Sequence, residues 1–163
     1  MSIIKNKRSQ RGFTMVEVLI AVFVLSVGLL GLAGLQAQSL QFNFSAYQRS
    51  QSNFLAYDII DRMRVNRDEA LLGTYDIELD DDAPADPGCQ AAAASCSTAD
   101  MVNFDLAQWI GNIENLLTQG DGAVAVTVVG GRAQVEVTIT WLDNRTLDES
   151  EDRTETFTVS SVL

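Results

Sequence analysis

The sequence predicts an α+β protein in which a long N-terminal helix packs on a C-terminal antiparallel β-meander, with a second, shorter helix between them. Three observations lead to this fold class. An uncharged apolar run fills residues 18–35. Apolar residues then recur at helical spacing up to about residue 66. Finally, three strand-like runs follow one another near the C-terminus, at 123–129, 133–142 and 153–162.

The composition excludes several classes of function. The 163 residues include 11 Lys and Arg, 22 Asp and Glu, and no His, so the net charge is −11. An acidic chain is a poor partner for a phosphate backbone, and we expect no nucleic acid partner. Without His, and with only two Cys, the usual zinc sites and His-dependent catalysis lack their residues. We therefore expect a protein that is not an enzyme, with no catalytic residues, no metal and no cofactor.

A short basic segment precedes the first helix. Its cations are Lys5, Lys7, Arg8 and Arg11. All the acidic residues lie after this segment. Because cationic flanks stay on the cytoplasmic side of a membrane, we expect a cytoplasmic N-terminus and an acidic body on the far side. In a bacterium, that side is the periplasm.

The apolar segment is long enough to span a bilayer. Residues 13–35 would form about 35 Å of helix, against a hydrocarbon thickness of about 30 Å. A cleaved secretory signal is the alternative, but its apolar region would be only about 7–15 residues long. Glu17 is the sole Asp, Glu, Lys or Arg between Arg11 and Arg49. A carboxylate at the centre of a membrane costs on the order of 2.5–3.5 kcal/mol, so Glu17 needs an interface or a cation.

The residues at the start of this segment resemble the class III leader of type IV pilins and pseudopilins. The motif reads Arg11-Gly12-Phe13-Thr14-Met15-Val16-Glu17. The resemblance implies that a prepilin peptidase, which is also the N-methyltransferase, cuts between Gly12 and Phe13 and methylates the new Phe13 amine. It also implies that Glu17 pairs with the Phe13 amine of a neighbouring subunit during assembly, since pairing neutralises both charges in an apolar core.

The same resemblance divides the chain and implies a pilin-like fold. Residues 1–12 would be the removed leader, residues 13–35 the transmembrane and filament-core segment, and residues 36–163 the periplasmic domain. The stretches 27–36 and 61–67 are similar to those of PilV-type minor pilins.

The PilV-type resemblance implies a structural subunit that helps initiate pilus assembly, joins the tip complex, and supports adhesion and twitching motility. The implied partners are other minor pilins, the major pilin, a tip adhesin and the inner-membrane assembly platform. The implied location is the inner membrane before assembly and the pilus tip afterwards. A minor pseudopilin of a type II secretion system shares the same leader and helix, and remains an alternative.

Beyond the apolar segment the helical pattern becomes amphipathic. We expect the following apolar residues to form the buried stripe: Leu40, Phe44, Tyr47, Leu55, Ile59 and Met63. Gln48 and Arg49 fall on the face predicted to be polar. Arg62, Arg64 and Arg67 lie near the expected end of the helix, where cations suit the macrodipole. A docking patch for an acidic partner is the alternative interpretation of these arginines.

Two acidic stretches, 73–88 and 143–152, read as exposed loops, with a calcium site as the alternative for each. Cys89 and Cys96 are seven positions apart. In an exported body they would form a disulfide, whereas in a cytosolic protein they could remain reduced and buried.

The remaining elements follow from capping and alternation. Ser97 and Asp100 can cap a second helix, whose apolar stripe is expected to pack on the sheet. Gly130-Gly131 predicts a hairpin turn. In the strand that follows, one face is predicted to be buried against the first helix: Val135, Val137, Ile139 and Trp141.

Overall fold

The computed structural model describes residues 12–91, 95–143 and 153–163, so the basic leader residues and most of the second acidic stretch lie outside the described residues. The helices are α1 (Met15–Val65), α2 (Arg67–Leu71) and α3 (Thr98–Leu116). The strands are β1 (Asp121–Val129), β2 (Arg132–Leu142) and β3 (Thr154–Val162). This order confirms the predicted α+β fold, with one long helix, a shorter helix and a C-terminal meander.

The chain divides into two compact units, Met1–Leu40 and Gln41–Leu163. The described part of the first unit consists mainly of the N-terminal portion of α1. Its side chains are exposed on all sides of the helix. The second unit contains the rest of α1, the other helices and the sheet, and it has its own apolar core.

The sheet has the order β1-β2-β3, and both pairings are antiparallel. Gly130 and Gly131 join β1 to β2 with φ angles of 60° and 76°, which lie in the left-handed region that a hairpin turn of this kind requires. The predicted inner face of β2 is confirmed. Its buried side chains are Ala133, Val135, Val137, Ile139 and Trp141.

The second half of α1 supplies one side of the core. Its buried apolar residues are Leu55, Ala56, Ile59, Ile60 and Met63. They belong to one cluster with the inner face of β2 and with the apolar stripe of α3. Within the cluster, the buried indole N–H of Trp109 donates to the backbone oxygen of Leu55 at 2.9 Å, which joins α3 to α1.

The predicted stripe is wrong for the part of α1 that precedes Leu55. Phe44 and Tyr47 are exposed, whereas Ser45, Gln48 and Ser52 are buried. The physical reason is that Ser45 and Gln48 find polar partners on the body, while the Ser52 hydroxyl donates to the backbone oxygen of Gln48 in its own helix at 2.9 Å. The Ser45 hydroxyl donates to a carboxylate oxygen of Asp143 at 2.7 Å. The Gln48 amide donates to the hydroxyl of Thr118 at 3.1 Å. Leu40, in the first unit, is exposed as well.

Helix α3 begins with the predicted cap. The Ser97 side chain accepts from the backbone N–H of Asp100, and the Asp100 carboxylate accepts from the backbone N–H of Ser97, which completes a capping box. Hydrogen bonds from the Ser97 hydroxyl and backbone N–H hold the pKa of Asp100 below its ordinary value. Helix α3 then packs on β1 at Gly122. A Cβ at Gly122 would lie 2.6 Å from Ile113 Cδ1 and 2.6 Å from Trp109 Cη2.

The first acidic stretch is only partly the exposed loop that the sequence predicts. Tyr75 and Ile77 are buried, and Ile77 forms a β-bridge with Val124 of β1. The Asp76 carboxylate accepts from the backbone N–H of Val126 at 2.7 Å. The stretch therefore lies along the outer edge of β1, because two apolar side chains on either side of Asp76 fill the core.

A polar network joins the end of α1 to α3. The Arg62 guanidinium contacts Asp58 at 2.9 Å and Asp105 at 3.2 Å. Asp105 is 6% exposed, and it also accepts from the Tyr75 hydroxyl at 2.8 Å. Burial, with the hydrogen bond to Asp105 as the second cause, raises the pKa of Tyr75 well above its ordinary value.

The other arginines at the helix end also contact their own chain. Arg64 donates to Asp61 at 2.6 Å and to the Ser161 hydroxyl at 3.1 Å. Arg67 donates to the backbone oxygen of Leu163 at 3.2 Å. These bonds favour the interpretation of the cluster as a feature of the helix end, since each guanidinium holds α1 or α2 to the body.

The close packing at Gly122 yields a stability prediction. Gly122→Ala should lower the free energy of unfolding by about 1–3 kcal/mol, because the added methyl group overpacks the contact with Ile113 and Trp109. Gly111→Ala is the matched control: Gly111 lies in α3 with open space at its Cβ position. That variant should keep or raise stability by up to about 1 kcal/mol. Urea unfolding followed by circular dichroism measures both, and equal stabilities would contradict the packing argument.

The buried tyrosine yields a pH prediction. At neutral pH, Tyr75→Phe should cost about 1–3 kcal/mol because Asp105 loses a buried hydrogen bond. The folded-state pKa of Tyr75 is raised, so its stabilisation is complete below the unfolded pKa of about 10 and is lost as the pH rises above it. The stability gap between the two proteins should then narrow by up to about 1.4 kcal/mol per pH unit. Urea titrations between neutral and alkaline pH test this, and a constant gap would refute it.

Candidate functional site

The residues of the predicted processing site lie directly before α1. Gly12, Phe13 and Thr14 are outside regular secondary structure and are exposed. The side chain of Phe13 is 83% exposed. No atom lies within 4 Å of the Cβ position of Gly12. The peptide bond between Gly12 and Phe13 is therefore in open backbone, where a protease can reach it without unwinding the helix.

Thr14 caps the first turn of α1. The backbone N–H of Glu17 donates to the Thr14 backbone oxygen at 3.1 Å and lies 3.3 Å from its hydroxyl oxygen, which also accepts. Val18 donates to the same backbone oxygen at 3.3 Å. Without such acceptors the first backbone N–H groups of a helix have no intrahelical partner.

The sequence reasoning missed this cap, although the signal was present. Thr14 followed three residues later by Glu17 has the spacing of a capping box. The structure forms the hydrogen bond from the Glu17 backbone to the Thr14 side chain. Thr14 and Glu17 therefore belong both to the leader motif and to the cap that defines the start of α1.

Glu17 occupies the first turn of α1 and is exposed. An acid at this position is favoured because the N-terminus of a helix carries a partial positive charge. Glu17 lies at the polar end of a shallow groove of about 250 Å³ on one side of the helix. The groove is lined by Phe13, Glu17, Val18, Ala21, Val22 and Leu25. The surface thus combines one carboxylate with apolar side chains, which suits an apolar group that carries a cation.

The helix that presents this site is long and apolar enough to cross a membrane, judged by length and composition. None of its most apolar 18-residue window is buried within the structure. Together with the leader motif, this helix indicates membrane anchoring.

The second predicted pair of site residues is joined. Cys89 and Cys96 form a disulfide with a Cα–Cα distance of 5.9 Å. The bridge precedes the Ser97 cap and closes the loop that leads into α3. Across the described ranges, no group of three or more Cys, Asp or Glu side chains is placed to hold a metal ion.

Two family comparisons match the chain. The prokaryotic N-terminal methylation motif matches residues 7–33, which include Gly12, Phe13 and Glu17. The family described as type IV pilin Tt1218 matches residues 34–107, from the apolar part of α1 into α3. No curated protein and no solved structure matches the chain at a significant level.

The two matched segments are adjacent and together cover more than half of the chain. The methylation motif implies processing by a prepilin peptidase and an assembly context typical of pilins. Members of the family are structural subunits rather than enzymes. The leader motif, the long apolar helix and the pilin domain that follows lead to one conclusion: this chain belongs to the type IV pilin family.

Proposed function

We propose that this pilin is a minor subunit of the PilV type, which helps to start the pilus and remains in its tip complex. In this proposal the leader, residues 1–12, is removed between Gly12 and Phe13, and the new amine is methylated. Before assembly the subunit spans the inner membrane once, with its N-terminus in the cytoplasm and its body in the periplasm. Other minor pilins, the major pilin and a tip adhesin are its partners, and an inner-membrane platform assembles them.

The observation that carries the proposal is a single carboxylate in the apolar N-terminal part of α1, whose surface no described residue buries. Glu17 is exposed in the first turn of α1, and the apolar window that follows it is unburied. Cleavage before Phe13 creates a cation four residues from Glu17 in the sequence. A carboxylate and an ammonium 4 Å apart attract by about 1 kcal/mol in water and by about 4 kcal/mol at an effective dielectric constant of 20.

The attraction between Glu17 and a neighbouring amine therefore matters most where water is excluded. A subunit that enters an apolar filament core with Glu17 unpaired would carry an uncompensated charge, which is strongly unfavourable. A subunit in the correct register pairs the two charges. Glu17 then selects the register of assembly more than it adds stability to the filament.

The disulfide supports export of the body. Structural disulfides persist in oxidising compartments such as the periplasm and are rare in the cytosol. Cys89 and Cys96 both lie in the second unit, beyond the apolar part of α1. The bridge is therefore compatible with a body on the periplasmic side and a cytoplasmic leader.

Mass spectrometry of the mature protein tests the processing step. Full-length protein from cells with an active prepilin peptidase should yield an N-terminal peptide that begins at Phe13 and carries one added methyl group. Protein from a matched strain without the peptidase should keep Met1 or its neighbours. A mature chain that still began at the leader, or began beyond residue 36, would refute the proposed cleavage.

Substitutions at Glu17 test its role in assembly. Glu17→Gln keeps a side chain that suits the third position of a capped helix but removes the charge. We expect normal insertion and cleavage and a clear fall in incorporation into sheared pili, measured by quantitative immunoblotting. Thr14→Ala is the matched control, because it removes the cap hydroxyl and keeps the carboxylate. Equal incorporation of wild type and Glu17→Gln, or an equal loss in Thr14→Ala, would contradict the role of the charge.

A clean deletion of the coding sequence separates the two assembly systems. Loss of surface pili and twitching, with protein secretion intact, is the result expected for a minor pilin. Loss of secretion with twitching intact would instead assign the chain to a type II secretion system.

A further inference from the structure

We infer that the open edge of β3 accepts an extended, acidic segment of another polypeptide as a fourth strand of the sheet. The inference concerns the second unit alone. It does not depend on the leader, on Glu17 or on the proposed role in the pilus.

The two edges of the sheet are built differently. The outer edge of β1 is covered by its own chain: Ile77 and Val124 exchange backbone hydrogen bonds of 3.0 and 2.9 Å. The Asp76 carboxylate accepts from the N–H of Val126 at 2.7 Å. The N–H groups of Val124 and Val126 on this edge are therefore satisfied, and a further strand cannot pair there without displacing residues 76–77.

The edge of β3 is not covered in this way. The N–H of Leu163 donates to the oxygen of Ala133, and the N–H of Asp143 donates to the oxygen of Arg153. Together with the continuous register, these bonds show that odd-numbered residues of β3 pair with β2. The backbone groups of the even-numbered residues therefore point away from the sheet. In the described ranges, no strand or loop pairs with those of Thr156, Thr158, Ser160 and Val162.

Natural sheets usually protect such an edge with lysine, proline, a bulge or a covering segment. The sequence of β3 from Thr154 to Val162 contains no proline, no lysine and no arginine. Its nine residues pair with β2 in one unbroken register, so no bulge interrupts it. The one charged side chain in the strand, Glu155, forms an ion pair with Arg49 at 2.7 Å. This edge retains the geometry that an added strand requires.

The surroundings of the edge define what would pair with it. On the inner face, Phe157 and Val159 pack against the core but remain only partly buried, since no described strand lies beyond β3. Arg49 and Arg64 lie over the same face and contact Glu155 and Ser161, and their side chains are 55% and 48% exposed. Each guanidinium has five N–H donors, so both can donate to a further carboxylate.

An incoming strand that fits would carry both kinds of group on its inner face. Apolar side chains would cover Phe157 and Val159. Carboxylates at the inner positions opposite Glu155 and Ser161 would reach the guanidinium groups of Arg49 and Arg64. On the outer face, β3 presents the uncharged hydroxyl side chains of Thr156, Thr158 and Ser160. Main-chain hydrogen bonds would supply affinity, and the alternating side chains would supply specificity.

A second copy of the same chain is the competing occupant of this edge. An antiparallel pair of β3 strands centred on Thr158 would place Glu155 of one copy opposite Ser161 of the other. Such a pair would bring Arg49 and Arg64 only the carboxylates that already contact them, Glu155 and Asp61. A different polypeptide would add carboxylates of its own.

Hydrogen exchange on the full-length protein in detergent, resolved by residue with NMR, tests the inference. The probe is a nine-residue peptide with blocked ends and the sequence Thr-Glu-Thr-Val-Thr-Val-Thr-Glu-Thr, which places valine opposite Phe157 and Val159 and glutamate opposite Glu155 and Ser161. We expect it to slow exchange at Thr156, Thr158 and Ser160 by at least about tenfold, which corresponds to about 1.4 kcal/mol per site. The odd-numbered amides of β3, already bonded to β2, should change little. A peptide with lysine in place of glutamate should bind more weakly.

A proline substitution removes the pairing group without touching the existing sheet. The N–H of Thr158 points away from β2, so Thr158→Pro keeps every backbone hydrogen bond to β2. It loses only the contact between the Thr158 and Thr138 hydroxyls at 3.4 Å, which Thr158→Ala loses as well. Binding of the peptide should fall by at least about tenfold, as expected from the lost hydrogen bond and the bulk of the ring. Thr158→Ala keeps the N–H and should bind as wild type does. Circular dichroism checks the fold of both variants.

The same peptide N-methylated at every backbone amide provides a test that needs no variant, because neither of its edges can donate a hydrogen bond to a strand. It should fail to bind. Equal binding of the N-methylated peptide, equal binding by Thr158→Pro, or no protection at millimolar peptide would overturn the inference. Protection of the even-numbered amides that grows with protein concentration in the absence of peptide would also overturn it, in favour of a second copy.

Discussion

The apolar surface of the N-terminal part of α1 is the constraint on which the rest of the structure depends. This segment has no partner of its own within the described chain, and its most apolar window is unburied. Burying one large aliphatic or aromatic side chain is worth about 1.5–3 kcal/mol, so the segment as a whole represents tens of kcal/mol in contact with water. Lipid or the helices of other subunits must cover it. The processing site, the cap and the lone acid all lie at the end of this segment, where its environment changes.

The later part of α1 is packed into the core of the second unit. From Leu55 onward, α1 presents an apolar stripe to the sheet, and the apolar stripe of α3 packs into the same core. Polar contacts then hold the helix end: Arg62 reaches a buried acid on α3, and Arg64 reaches β3. One sheet edge is closed by the loop around Ile77, while no residue of the described ranges pairs with the other. The second unit is therefore complete in its core but not at its edge.

Much of this was predictable from local patterns. The leader motif, the hairpin at Gly130-Gly131, the inner face of β2 and the cap at Ser97 each depend on short-range rules of spacing and geometry. The wrong assignments involve tertiary context. Phe44 and Gln48 were assigned to the wrong faces because the buried face of that stretch of α1 is polar. Its partners, Thr118 and Asp143, are distant in sequence. Likewise, Tyr75 was expected to be exposed because it belongs to an acidic stretch. Its hydrogen-bond partner, Asp105, is distant in sequence.

The polar contacts of Ser45 and Gln48 have a mechanical consequence. Apolar burial fixes α1 from Leu55 to Met63, whereas hydrogen bonds to Thr118 and Asp143 fasten the preceding turns. A hydrogen bond contributes only about 0.5–1.5 kcal/mol net because water can replace it. If tension is applied through α1, we expect the turns around Ser45 and Gln48 to separate from the body before the apolar contacts of Leu55 to Met63 break. Within the second unit, the earlier turns of α1 are therefore held by weaker contacts than the later ones.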